Sequence, residues 1–79
     1  MTTARKNMAK LDPAHVRVLD LIILPQGMKR PGHVNVDFLI ERTFWSEASV
    51  RTLLLEARRH FDVHTTHQLM ILWREKRKL

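Results

Sequence analysis

One stretch constrains this chain more than any other: Ser46 to Val63, SEASVRTLLLEARRHFDV. Ser46 can cap a helix by offering its hydroxyl to orphan backbone amides, and Glu47 just inside favours the positive end of the helix dipole. Beyond the cap, Val50, Leu54, Ala57 and Phe61 recur at spacings of four, three and four, one stripe of a 3.6-residue period. The spacing predicts a helix over about 47–61 with that stripe buried. Its other flank carries Arg51, Thr52, Leu55, Arg58 and Arg59, cationic and small polar groups that no core needs. That flank can face a polyanion.

The elements around this helix follow from capping and turn signals. Leu11-Asp12-Pro13 reads as a start, with Asp12 as N-cap and Pro13 at the first helical position, where its missing amide costs nothing. Val16, Val18, Leu19, Ile22 and Ile23 then give a broad apolar face up to about Leu24, and Pro25 with Gln26-Gly27 ends the helix. The connection MKRPGHVNV holds a Pro31-Gly32 turn signal and reads as a loop. Asn35 can cap a second helix over 36–43, with Phe38, Leu39 and Ile40 inward. Phe44 and Trp45 are expected as apolar anchors of a short turn, which completes a helix-turn-helix. Thr65 with Gln68 offers a capping box for a fourth helix over 66–77. There Leu69, Leu72 and Trp73 stand at i, i+3 and i+4, with Met70 and Ile71 off that stripe. Four consecutive apolar residues, Leu69 to Leu72, cover more of the circumference than one small core requires, which predicts an interface. The expected architecture is therefore all-α.

Seventy-nine residues allow one small domain, near the size at which a single core becomes marginal without a partner. There is no cysteine, so a disulfide framework and a thiolate metal site are both excluded. Fourteen Lys and Arg against eight Asp and Glu give a net charge of +6, a footprint that favours an acidic surface such as nucleic acid. Residues 1–10 read as a flexible basic arm carrying Arg5, Lys6 and Lys10, and residues 11–79 as the domain. No apolar run approaches the roughly 20 residues that span a bilayer, so a cytoplasmic protein with no membrane partner is expected.

Set in this frame, the stretch from Ser46 resembles the recognition helix of the LuxR/GerE-type helix-turn-helix domain, with the pattern S-E-x-T-V-K-x-H-L-x-x-I-x-x-K-L-x-V. Ser46, Glu47, Val50, Leu54 and Val63 match it outright, and Ser49, Arg51, Ala57, His60 and Phe61 are conservative replacements. Leu11, Pro13, Val18, Leu19 and Leu21 match the opening L-x-P-x(4)-V-L-x-L. The likeness is greatest to the TraR-like quorum-sensing branch. The connection after Gly27 is about six residues longer than the family's, Ile40 stands where the family has a small residue, and Leu55 where it often has a cation.

The resemblance implies a four-helix DNA-binding domain, lengthened between its first two helices, that acts as a transcriptional regulator without a sensor domain. By position it implies base contacts from Arg51, Thr52 and Leu55, and phosphate contacts from Ser46, Arg42, Arg58 and Arg59. Lys29 and Arg30 of the longer connection join the phosphate set. An arginine can hold guanine O6 and N7 with paired hydrogen bonds, a leucine or threonine methyl can touch thymine, and phosphate contacts orient more than they specify. The family's last helix commonly makes a dimer, here through Leu69, Met70, Leu72 and Trp73. The implied partners are double-stranded DNA, a second copy, and a full-length regulator or RNA polymerase.

Two other readings use the same residues. In one, the chain pairs through helix 66–77 with a full-length regulator and blocks it. In the other, SVRTLLLEARR resembles the promoter-binding region 4 of sigma factors. No nucleophile elbow, Gly-rich phosphate loop or carboxylate pair suggests an enzyme, and no cofactor is implied. His60, His64 and His67 have a spacing that invites zinc, but only Asp62 could complete a tetrahedral set, so no metal site is expected.

Overall fold

The computed structural model describes residues 11–30 and 32–77; the expected basic arm over 1–10 lies outside the described residues. In chain order the elements are α1 (Pro13–Ile22), β1 (Met28–Arg30), β2 (His33–Val34), α2 (Val36–Thr43), α3 (Glu47–Phe61) and α4 (Thr66–Arg77). The strands form an antiparallel pair, with Met28 opposite Val34 and Arg30 opposite His33. The chain is mostly helical, with four helices as expected, but the longer connection is a short hairpin and not an open loop. Gly32 at φ 82 supplies the left-handed backbone that its turn requires. The base of the hairpin is fixed by Asn35, whose backbone N–H donates to the Gly27 carbonyl at 2.9 Å while Nδ2 donates to the Gln26 carbonyl at 3.2 Å. Gly27 is pressed against the end of α1; a Cβ there would lie 2.6 Å from Ile22 Cα.

Helices α1 and α3 pack most extensively on each other, and each also packs on α2 and α4. Helix α1 contributes Val18, Leu19 and Ile22 to a core that Leu39, Val50 and Leu69 complete from the other three helices. Fully burying one such side chain contributes about 1.5–3 kcal/mol, so these residues decide the fold. The expected stripe of α3 is inside, with Val50, Leu54 and Ala57 buried and Phe61 partly so. The helix bounds follow the capping signals. Ser46 Oγ accepts from the Ser49 amide at 3.1 Å, Asn35 Oδ1 from the Phe38 amide at 3.3 Å, and Thr65 Oγ1 from the Gln68 amide at 3.0 Å. The Gln68 side chain closes its half of the box one residue further back than expected, accepting from the His64 amide at 3.0 Å.

Polar contacts pin the helices where the core ends. His15, only 7% exposed, accepts the Asp12 amide on Nδ1, and its Nε2 lies 2.8 Å from Glu56 Oε1, which ties α1 to α3. Asp20 Oδ1 accepts from Trp73 Nε1 at 2.8 Å and Oδ2 from Arg77 Nη2 at 3.1 Å, with Arg77 Nε ion-paired 3.0 Å from Oδ1, which ties α1 to α4. Arg77 also lies over the Trp73 ring, 5.6 Å from its centroid.

Three apolar assignments change. Phe44, expected to anchor the turn, is 90% exposed and adopts the left-handed conformation at φ 63. Its amide donates to the Ile40 carbonyl at 2.7 Å, so backbone geometry makes the turn and the ring projects away; Trp45 alone packs inward. Met70, placed off the inward stripe of α4, is buried. Leu69, Met70 and Trp73, expected at a dimer interface, belong to the chain's own core. The four-residue apolar run is wide because this small domain surrounds α4 on more than one side, leaving Leu72 half-buried and Ile71 47% exposed.

Candidate nucleic-acid interface

Helix α2, the three residues 44–46 and helix α3 form a helix-turn-helix arrangement. The exposed side of α3 has a simple relation to its buried side. Shifting the stripe Val50, Leu54, Ala57, Phe61 back by two residues gives Ala48, Thr52, Leu55 and Arg59, all exposed. Two residues turn an α-helix by about 200°, so this set is a ridge pointing away from the core. Ala48 is small, Leu55 is 38% exposed and Arg59 ends the ridge in charge. Among the described residues none of these side chains makes a hydrogen bond or an ion pair. Of the expected base contacts, Thr52 and Leu55 stand on the ridge.

Arg51 does not. It lies with Leu54 and Arg58 on the flank of α3 that faces the hairpin. Between them runs a cleft of about 640 Å³, bordered by Lys29, Arg30 and His33 on one side, Arg51 and Arg58 on the other, and Thr66 of α4 at one end. Its lining contains no carboxylate among the described residues. Val34, Val36 and Leu54 give it an apolar floor. The hairpin leans on α4 through β2, and that contact holds the cleft open beside α3.

The cations of this region differ in how they are held. Arg51 Nε pairs with Glu47 Oε2 at 2.7 Å, one turn back, and both side chains are more than half exposed. Such an exposed i,i+4 pair contributes only about 0.3–0.5 kcal/mol, so a phosphate can compete for the guanidinium. Arg58 is half-buried; its Nη1 donates to the His64 carbonyl at 3.3 Å, while its buried Nε has no hydrogen-bond partner among the described residues. Arg59 and the hairpin residues Lys29 and Arg30 are exposed.

The remaining expected phosphate contacts are partly occupied. The Ser46 hydroxyl caps α3 and donates to Ser49 Oγ at 3.1 Å. Arg42 is exposed on α2, with its guanidinium 4.9 Å above the Phe38 ring and its carbonyl accepting from Arg17 Nη2 at 3.0 Å. The structure thus brings Arg51, Arg58, Lys29 and Arg30 together and leaves Arg42 and Ser46 apart from them, on α2 and at the start of α3.

Thr66 has no signal in the sequence, whereas His33 is expected there, with Lys29 and Arg30, as a loop residue able to add a phosphate contact. The signal for His33 was its place beside Lys29 and Arg30 around a Gly turn, which a hairpin folds onto one edge. On the other side of the ridge, Trp45, Ala48, Ser49, Thr52 and Leu53 line a shallow, more apolar hollow. Among the described residues no group of three His, Asp or Glu side chains could hold a metal ion, and no helix is long and apolar enough to cross a membrane. No protein family, curated protein or solved structure matches this chain.

Proposed function

We propose that this chain is a sequence-reading, double-stranded DNA-binding transcriptional regulator that lays α3 in the major groove. The observation that carries the reading is the ridge Ala48, Thr52, Leu55 and Arg59, exposed opposite the buried stripe of α3 and without a hydrogen bond or ion pair among the described residues. An α-helix fits the major groove, where its outward side chains meet base edges. Leu55 would meet a thymine methyl, and Thr52 would exchange a hydrogen bond with a base or touch a methyl. The net charge of +6 supplies the sequence-independent attraction.

The LuxR/GerE resemblance gives the finer form of this proposal. Four helices in that order and a capped recognition helix agree with it; the hairpin between α1 and α2 is an addition. The same reading takes the chain as a homodimer on paired half-sites. With Leu69, Met70 and Trp73 inside the core, Ile71 and Leu72 are the apolar residues that α4 has left for that contact.

The test is selection of bound duplexes from a random-sequence pool at two salt concentrations, because nonspecific affinity falls steeply with salt. The expected result is one enriched motif, with paired half-sites about one helical turn apart if two copies bind together. Binding without an enriched motif, or none at physiological salt, would overturn the proposal.

A further inference from the structure

We infer that the cleft between the hairpin and α3 is a phosphate clamp: it holds a stretch of DNA sugar-phosphate backbone beside the groove that α3 reads. The inference rests on the DNA-reading assignment of α3 and gives Arg51 a different task from the base contact expected of it.

Charge argues first. Lys29, Arg30, Arg51 and Arg58, with His33 beside them, border one trough whose lining has no carboxylate among the described residues. Lys29, Arg30 and His33 have no ion-pair partner among the described residues. Gathering these like charges with Glu47, held by Arg51, as the one ion-pair partner among the described residues disfavours the free fold, and the arrangement becomes favourable when an anion lies between them.

Geometry argues second. On α3, Arg51 and Arg58 stand seven residues apart, two turns or about 10.5 Å along the axis. Cations at that spacing on one wall, facing exposed cations on the hairpin, suit a string of phosphates better than a single ion. Each exposed cation alone holds an anion weakly, whereas a polyanion that touches several releases condensed counterions at each contact.

A third observation is the buried, unpartnered Nε–H of Arg58. A buried donor left without an acceptor is unfavourable, because it has lost its water and gained no partner. A phosphate oxygen in the trough is an acceptor of the kind it lacks. Glu47 pairs with Arg51 through Nε and so competes with a phosphate for part of the same guanidinium.

The clamp is tested by salt titration of binding to the enriched duplex, comparing wild type with the Lys29→Ala/Arg30→Ala double variant and with Arg58→Gln. Each lost phosphate contact should lower the slope of log affinity against log salt by about 0.9. The clamp therefore predicts a drop of roughly 2 for the double variant and roughly 1 for Arg58→Gln, with the enriched motif unchanged in both. Lys29 and Arg30 are exposed, so the double variant keeps the test valid if Arg58→Gln fails to fold.

An unchanged slope with the motif still bound would overturn the clamp and leave the DNA-reading proposal standing. A changed motif would also overturn it, since these residues would then read bases. Loss of all specific binding by wild type would overturn both. A parallel titration with inorganic tripolyphosphate separates the sources of phosphate. If it saturates the wild type at physiological salt and the double variant abolishes that while the DNA slope stays fixed, the cleft serves a small phosphorylated ligand and the clamp is wrong.

Discussion

The two sides of α1 and α3 treat charge in opposite ways. Where α1 meets α3 and α4, each polar group has an internal answer: His15 with Glu56, and Asp20 with both Trp73 and Arg77. Where α3 faces the hairpin, Lys29, Arg30 and His33 are exposed without ion-pair partners among the described residues, and Arg51 is held by one exposed pair. Paired charge on the first side fixes helix positions. On the second side the charge is of one sign and, apart from Arg51, without ion-pair partners among the described residues. Net charge alone does not separate these roles, because Arg77 and Arg30 count equally in a total of +6.

The comparison breaks most visibly in the core that both sides share. Leu39→Ala should cost about 3 kcal/mol, within the usual range of about 2–5 for a fully buried leucine, measured by urea unfolding. Asp20→Ala should cost about 1–2 kcal/mol, because the Trp73 indole N–H loses its acceptor in a largely buried position, while affinity for the enriched duplex stays within twofold of wild type once both are folded. A large loss of DNA affinity in folded Asp20→Ala would erase the division between a structural and a binding side.

Phe44→Gly should leave stability unchanged or raise it by about 1 kcal/mol, since the left-handed conformation strains any residue with a Cβ and this ring makes little contact. A loss of more than 1 kcal/mol would mean that the ring packs against something. The smallest effect sharpens the binding side. Glu47→Gln should change stability by no more than about 0.5 kcal/mol and raise DNA affinity a few-fold at low salt, measured by fluorescence anisotropy, because Arg51 is freed.

Much of the scaffold was legible in the sequence for local reasons. Capping signals at Ser46, Asn35 and Thr65 named the three helix starts that the structure shows, and the spacing of Val50, Leu54 and Ala57 named the inward side of α3. What was not legible depended on distant parts of the chain. The segment 28–34 reads as a loop because strands this short have no periodicity, and only pairing with each other makes them a hairpin. The apolar run on α4 was taken as surplus, but Met70 is enclosed by a core whose curvature the sequence does not display. The resemblance gives Arg51 and Thr52 the same task by position, although one residue turns a helix by about 100°. That rotation moves Arg51 into the cleft and leaves Thr52 on the ridge.

The central claim is that the ridge of α3 reads bases, and the most direct measurement is a pair of random-pool selections run side by side with wild type and Leu55→Lys. Leu55 is 38% exposed and is not one of the buried core residues, so the variant should fold as wild type does. The account predicts that wild type enriches a motif and that Leu55→Lys changes the preferred base at one position in each half-site, toward guanine, whose O6 and N7 accept from lysine. An identical motif from both proteins would contradict it, because a helix whose outermost side chain can be exchanged without altering sequence preference is not the element in the groove.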